Sequence, residues 1–199
     1  MLEPDTASEL SDEEIVIKTL TDRSFFAVIV YRFEDKLGRY IRRLGISLHE
    51  DRQDILQDIF IKVYKNLNGF DSRLSFSSWV YRIAHNETIS WYRKQRVRPE
   101  GHLIAEAEEV FLFTEGGLTG ADLLVDAGID AHLLQQCIKD LDSKYRDPII
   151  LRYFENKEYD EISDILKIPI GTVGTLISRG KKRLEEKLIA ANQSLDTKP

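Results

Sequence analysis

Cysteine is nearly missing: Cys137 is the one cysteine among 199 residues. A lone cysteine forms no internal disulfide, and no CxxC or Cys/His cluster surrounds it. A disulfide scaffold and a zinc module are therefore excluded, and Cys137 reads as a small buried apolar residue. Long apolar runs are lacking too, so no segment reaches the length of a membrane span. The start, "MLEPDTASELSDEE", is acidic where a signal peptide would be basic. The expectation is a cytoplasmic protein that makes no membrane contact itself. Strand signals are equally scarce. Alternation of period two is not found, and the Asn68-Gly69 pair lies between helical patterns instead of between alternating strands. Catalytic signatures are also missing. His49, His85, His102 and His132 have no partner at catalytic or metal spacing, and there is neither a Gly-rich phosphate loop nor a GxSxG. Asp54 and Asp58 bring no second ligand class to a metal. The sequence reads as a protein that is not an enzyme, with no catalytic residue, metal or cofactor.

What is present is charge, unevenly placed. The formal net charge of −6 argues against a uniformly basic nucleic-acid binder, so distribution matters more than the sum. From Pro99 to Ala131 the acids Glu100, Glu106, Glu108, Glu109, Glu115, Asp122, Asp126 and Asp130 meet no Lys or Arg. Gly116-Gly117, Gly120 and Gly128 lie in the same stretch, which reads as an acidic flexible linker. From Arg73 to Arg98, by contrast, Arg73, Arg82, Arg93, Lys94, Arg96 and Arg98 face a single acid, Glu87.

On either side of the linker the hydrophobic period is helical. Ser11 followed by Glu14 forms a capping box that starts a helix. A second helix over about Phe25 to Leu44 repeats Phe26, Val30, Phe33, Leu37, Tyr40 and Leu44, and Gly45 stops it. A third, about Arg52 to Leu67, carries Ile55, Ile59, Val63 and Leu67, and a fourth runs from about Phe76 to Arg96. After the linker, "AHLLQQCIKDL", "SKYRDPIILRYFEN", "YDEISDIL" and "IPIGTVGTLISRGKKRL" make four further helices, with Pro148 expected in a first turn. The fold class is all-α: two small helical domains, 1–98 and 132–199, joined by the linker 99–131.

Two patterns point to nucleic acid. In "YDEISDILKIPIGTVGTLISRG", Ile162, Ile165 and Leu166 line one helix, Ile168-Pro169 makes a turn, and Val173, Leu176 and Ile177 line the inner face of the next helix. That is a helix-turn-helix, whose second helix enters a major groove, and Arg179, Lys181, Lys182 and Arg183 follow it as phosphate contacts. In the fourth helix Arg82, Asn86, Arg93 and Arg96 fall within an arc of about 80°, opposite Phe76, Val80, Ile83, Ala84 and Trp91. Trp79 lies on the border, suited to core packing or to stacking on a base. Glu87 falls inside the apolar arc. On the third helix Asp51, Asp54, Gln57 and Asp58 form an acidic and amide face that suits a protein partner better than phosphate. The residues alone leave open a DNA-binding protein, such as a two-domain regulator, and a helical interaction protein.

The blocks "DRQDILQDIFIKVYKNLNGFD", "SFSSWVYRIAHNETISWYRKQ" and "LDSKYRDPIILRYFENKEYDEISDILKIPIGTVGTLISRGKKRL" resemble regions 2.2, 2.3–2.4 and 4 of the extracytoplasmic-function (group IV) sigma factors of bacterial RNA polymerase. The resemblance implies a sigma factor of the sigma-70 family: a DNA-binding subunit that joins core RNA polymerase and directs promoter-specific transcription initiation. It implies that Asp51, Asp54, Gln57 and Asp58 dock the β′ clamp helices, and that region 4 meets the β flap. It puts −10 contacts on Phe70, Asp71, Ser72, Arg73, Ser75, Trp79, Arg82, Asn86, Arg93 and Arg96, with a flipped base captured by the loop. The −35 contacts fall on Gly171, Thr172, Thr175, Ser178, Arg179 and Lys182. An anti-sigma factor is the further partner it implies. The chain departs from the family at Asp51-Arg52-Gln53-Asp54, where Asp-x-Glu-Asp is common. It departs again at Gly174-Thr175-Leu176, where Lys/Arg-Ser-Arg is common, so two positive charges are missing from the reading helix.

Overall fold

The computed structural model describes residues 10–71, 74–97 and 131–196, which divide into two compact units of α-helix. In the first unit the helices are α1 (Asp12–Thr21), α2 (Phe26–Arg43), α3 (His49–Asn66) and α4 (Phe76–Val97), with 3-10 turns at Arg23–Phe25 and Leu67–Gly69. In the second they are α5 (Ala131–Lys139), α6 (Ser143–Tyr153), α7 (Tyr159–Leu166) and α8 (Ile170–Asp196). Among the described residues there is no strand, and no helix is long and apolar enough to cross a membrane.

Local chemistry sets the helix ends. The Ser11 hydroxyl accepts from the Glu14 N–H at 3.2 Å while the Glu14 carboxylate accepts from the Ser11 N–H at 2.7 Å, the reciprocal cap expected from the sequence. After α2 the chain turns at Gly45, whose φ of 113° costs a glycine little and a side-chain-bearing residue much. Buried Arg52 reaches back from α3 to donate to the Ile46 and Ser47 carbonyls and so fastens this turn.

Helix α4 is the pillar of the first unit. It packs along α3, and α1 crosses its start. Phe76 meets Phe33 of α2 edge-on at 5.7 Å, and Tyr81 lies 5.2 Å from Tyr40, whose hydroxyl pairs with His85 Nδ1 at 3.1 Å. Because α4 is covered from two sides, its buried surface is wider than the single apolar arc read from the sequence. Tyr81 and Thr88 are buried as well, Thr88 satisfied by donating to the Ala84 carbonyl, while Ile83 and Trp91 are only half-buried.

In the second unit α8 packs against α5, α6 and α7 through Val173, Ile177, Leu184 and Leu188. Each such side chain contributes about 1.5–3 kcal/mol when fully removed from water. Cys137 is buried on α5, as its apolar reading requires; burial, reinforced by the Asp140 carboxylate, pushes its thiol pKa up. Pro148 is a correction. Asp142 caps α6 by accepting from the Lys144 N–H, so the helix begins at Ser143 and Pro148 stands inside it, beyond the first turn.

Candidate nucleic-acid interface

The helix-turn-helix is α7, a short turn and α8. Helix α7 starts with the Glu161 carboxylate accepting from the Glu158 N–H at 3.0 Å, and Lys157 holds the same carboxylate from the other side. It ends at Lys167, which takes the left-handed conformation with φ 55°. The Ser163 hydroxyl then donates to the Ile168 carbonyl at 2.6 Å, and the Pro169 carbonyl accepts from the Thr172 and Val173 N–H groups to open α8. Ile162 and Ile165 on α7 and Val173 and Ile177 on α8 are buried, while Leu166 and Leu176 are half-buried.

That burial fixes which side of α8 is outward. Gly171, Thr172, Thr175, Ser178, Arg179 and Lys182 are all exposed, and they occupy an arc of about 120° opposite the Val173 line. The face is small at its start and basic at its end. Thr175 donates its hydroxyl proton to the Gly171 carbonyl at 3.0 Å, which leaves its oxygen lone pairs and methyl group toward solvent. The glycines divide into three cases. A Cβ on Gly171 would meet nothing within 4 Å. One on Gly174 would lie in ordinary contact with the Tyr159 ring at 3.5 Å, and one on Gly180 would be driven to 2.7 Å from Ile149 Cδ1. Gly180 therefore serves the packing of α8 on α6, while Gly171 serves no packing role. Beside Gly174 a shallow recess of about 370 Å³ opens along one flank of the helix, walled by Tyr153, Tyr159, Ser178, Lys181 and Lys182. Sequence reasoning had no signal for it beyond the missing side chain.

In the first unit the α4 stripe keeps its outward aspect: Asn86 and Arg93 are exposed and Arg82 is half-buried on the same side. The Arg96 side chain, with Ser72 and Arg73 of the preceding loop, lies outside the described residues. Two of the expected −10 contact residues also make contacts within the unit. Trp79 turns inward and packs its ring, tilted, against Phe76 at 5.6 Å and Phe70 at 5.4 Å. The Ser75 hydroxyl accepts from the Ser78 N–H at 3.2 Å as a cap of α4. The Glu13 carboxylate on α1 accepts from the Phe76 N–H at 3.0 Å, so that both backbone and side chain pin the start of α4. Phe70 is half-buried against Phe76 and Trp79, which anchors the described start of the loop, and the Asp71 carbonyl accepts from the Leu74 N–H.

On α3, Asp54, Gln57 and Asp58 are exposed on a common face, and Asp51 is half-buried in the first turn at its edge. Arg52 does not interrupt this face, since it is buried in the α2–α3 turn. Ile61, 42% exposed, lies beside Asp54, Gln57 and Asp58, and it was missed although an apolar residue on the polar side of the wheel was there to be read.

Family models match both units: "Sigma-70 region 2" over residues 29–98 and "Sigma-70, region 4" over residues 131–184. The ECF RNA polymerase sigma factor SigW of Bacillus subtilis is 37% identical over 173 residues, 84% of this chain and 90% of that protein. The ECF RNA polymerase sigma-E factor of Escherichia coli K12 is 28% identical over 187 residues, 92% of this chain and 96% of its own length. Among solved structures, CnrH in complex with the cytosolic domain of CnrY is similar at TM-score 0.65 and 22% identity, covering 90% of this chain and 97% of that one. The sigma factor RpoE in complex with the anti-sigma factor NepR from Bartonella quintana is similar at TM-score 0.60 and 23% identity, covering 82% and 96%.

Proposed function

The chain belongs to the extracytoplasmic-function sigma factors of the sigma-70 family, which direct RNA polymerase to promoters, and we propose that its two units divide that task between the −10 and −35 elements. Region 2 corresponds to 1–98, the acidic linker to 99–131 and region 4 to 132–199. The single observation that carries the reading is the outward face of α8, where Gly171, Thr172, Thr175, Ser178, Arg179 and Lys182 are exposed together. Small groups there let the helix backbone approach base edges, the hydroxyls of Thr172, Thr175 and Ser178 serve either donors or acceptors, and Arg179 suits a guanine edge. Lys182 and the neighbouring basic residues supply affinity that is indifferent to sequence.

In region 2 the stripe of exposed Asn86 and Arg93 and half-buried Arg82 lies along the strand backbone next to the −10 element, and Arg96 is a further contact expected there. The loop carrying Asp71, Ser72 and Arg73 receives a flipped base, and extruding that base starts melting because it exposes the full pairing edge to a pocket. Phe70 and Trp79 hold the loop's root rigid. Rigidity at the root lowers the entropy lost when the loop closes on its base.

The acidic face of α3 docks the β′ clamp helices, with Ile61 adding apolar area beside Asp54, Gln57 and Asp58, and region 4 meets the β flap. An anti-sigma factor is the regulating partner, a reading supported by the solved complex of RpoE with NepR. The protein works in the cytoplasm, makes no membrane contact itself, and requires no cofactor. Purified protein added to core polymerase is expected to give a run-off transcript from its cognate promoter and none from a promoter with a scrambled −35 element. Transcription that ignores both elements, or no transcript at all, refutes the assignment.

A further inference from the structure

We propose that Glu13, on α1, is a positioning residue for recognition of the −10 base: its carboxylate fixes the start of α4, from which the base-capturing residues project. The proposal rests on the reading of region 2 as the −10 unit, and it assigns part of promoter opening to a helix that contributes nothing to the DNA-facing stripe.

The start of α4 is held in two ways. One is apolar. The buried ring of Phe76 meets Phe33 of α2 edge-on and packs against Phe70 at 5.2 Å, which fixes α4 sideways. The other is polar. The Phe76 N–H is one of the first-turn donors that have no partner inside their own helix, and it points along the helix axis. Glu13 accepts it at 3.0 Å, while the Ser75 hydroxyl accepts from the Ser78 N–H. The carboxylate also places negative charge at the positive end of the α4 dipole. Glu13 therefore fixes along the axis what Phe76 fixes across it.

The residues around Glu13 make it a rigid arm. The Leu10 carbonyl accepts from the Arg32 guanidinium at 2.6 Å, and the Asp12 carboxylate pairs with the same guanidinium at 2.7 Å. Ser11 and Glu14 close the capping box, and Ile15 and Val16 are buried directly after it. The first turn of α1 is thus bolted to α2 through Arg32, and Glu13 reaches from it to α4. The consequence is preorganisation: a surface already held in its binding geometry loses less entropy when it engages a base. Such a surface tolerates little movement, because a displacement of about 1 Å is enough to spoil a positioned contact. Without the acceptor the Phe76 N–H must turn to water, and the first turn of α4 loosens with it.

The test uses holoenzyme reconstituted from the full chain and core polymerase, bound to promoter fragments that each carry one abasic site at successive positions through the −10 and −35 elements. The wild type is expected to lose about tenfold in affinity where the missing base is the captured one. Glu13→Met keeps the length of the side chain and removes the acceptor. It is expected to bind intact DNA about tenfold more weakly and to lose little more at that one position, with wild-type penalties throughout the −35 element. Glu13→Gln keeps an acceptor oxygen and should restore the wild-type pattern. Arg32→Met, which releases the first turn of α1 without altering Glu13, should repeat the Glu13→Met pattern in weaker form. Urea unfolding followed by tryptophan fluorescence reports whether the first unit of each variant is intact. If Glu13→Met keeps the full wild-type penalty at the captured position, whatever its overall affinity, or if it does not fold, Glu13 is structural only and the proposal is overturned. A wild type with no sensitive −10 position defeats the base-capture reading itself.

Discussion

Lys62 on α3 donates its ammonium to the Glu87 carboxylate on α4, joining two helices through a group that falls in the apolar arc of the sequence wheel. The two partners differ in their surroundings. The Glu87 side chain is 11% exposed and that of Lys62 is 50% exposed. Removing the lysine therefore strands a mostly buried carboxylate, while neutralising the carboxylate leaves a lysine that water can still reach.

Lys62→Met is expected to destabilise the first unit by about 1–3 kcal/mol, and Glu87→Gln by under about 1 kcal/mol. Both tryptophans of the protein, Trp79 and Trp91, lie on α4, so urea unfolding followed by tryptophan fluorescence reports this unit alone. Equal losses for the two variants would contradict the asymmetry.

The glycines of α8 give a second test, of opposite signs. Gly180→Ala forces a Cβ to 2.7 Å from Ile149 Cδ1 and to 3.3 Å from both the Tyr145 Cβ and its carbonyl oxygen. Ile149 and Tyr145 are buried and have little room to give, so overpacking of about 1–3 kcal/mol outweighs the gain of up to about 1 kcal/mol in helix propensity. Gly171→Ala meets nothing within 4 Å and is expected to stabilise α8 by about 0.5–1 kcal/mol. Amide hydrogen exchange along α6 and α8 measures both. Protection should fall in the first variant and rise in the second.

These glycines illustrate what was legible in the chain and what was not. The helices, the capping box at Ser11, the Gly45 stop and the helix-turn-helix follow from local period and local caps, which are written in consecutive residues. Features that failed to appear depend on neighbours distant in sequence. Tyr81 and Thr88 are buried because α4 is covered by both α2 and α3, and a single amphipathic arc cannot express two contacts. Glu87 is explained by a lysine on another helix, and Trp79 by the ring of Phe70 across a turn. Pro148 was placed one turn too early because the Asp142 cap that starts α6 is a single residue with no capping-box partner. The six −35 candidates are exposed together on one side of α8 because a helix places residues on a face by spacing alone.

Acid should loosen helix ends before it reaches the cores. The Asp142 carboxyl is held below its ordinary pKa by hydrogen bonds from the Lys144 side chain and backbone N–H. Asp22 is lowered by the Ser24 N–H, and Glu14 by the Ser11 N–H and then its hydroxyl. A lowered folded-state pKa means that these caps contribute fully above the unfolded carboxylate pKa of about 4, and that the contribution is lost as pH falls through and below that value. Exchange rates at the first turns of α1 and α6, corrected for intrinsic pH dependence, should therefore rise between about pH 4.5 and 3. Asp142→Asn should remove the pH dependence at α6 and leave that at α1 intact.

Arg179 and Lys182 are neighbours on the outward face of α8, yet their loss should read differently. A guanidinium that forms two hydrogen bonds to one base edge discriminates among bases, so Arg179→Ala is expected to cost about 1–3 kcal/mol on the cognate −35 element. Much less should be lost on a fragment already altered at the base it reads. An ammonium on a phosphate is indifferent to the base, so Lys182→Gln should weaken cognate and altered fragments by the same factor. It should also reduce the slope of log affinity against log salt by about 1, because one fewer counterion is released. Fluorescence anisotropy of holoenzyme on a labelled promoter, over a salt series and a set of single-base −35 variants, measures both quantities. Arg179→Ala losing equally on every fragment would move Arg179 from the bases to the backbone, and sequence discrimination would then rest on Thr172, Thr175 and Ser178.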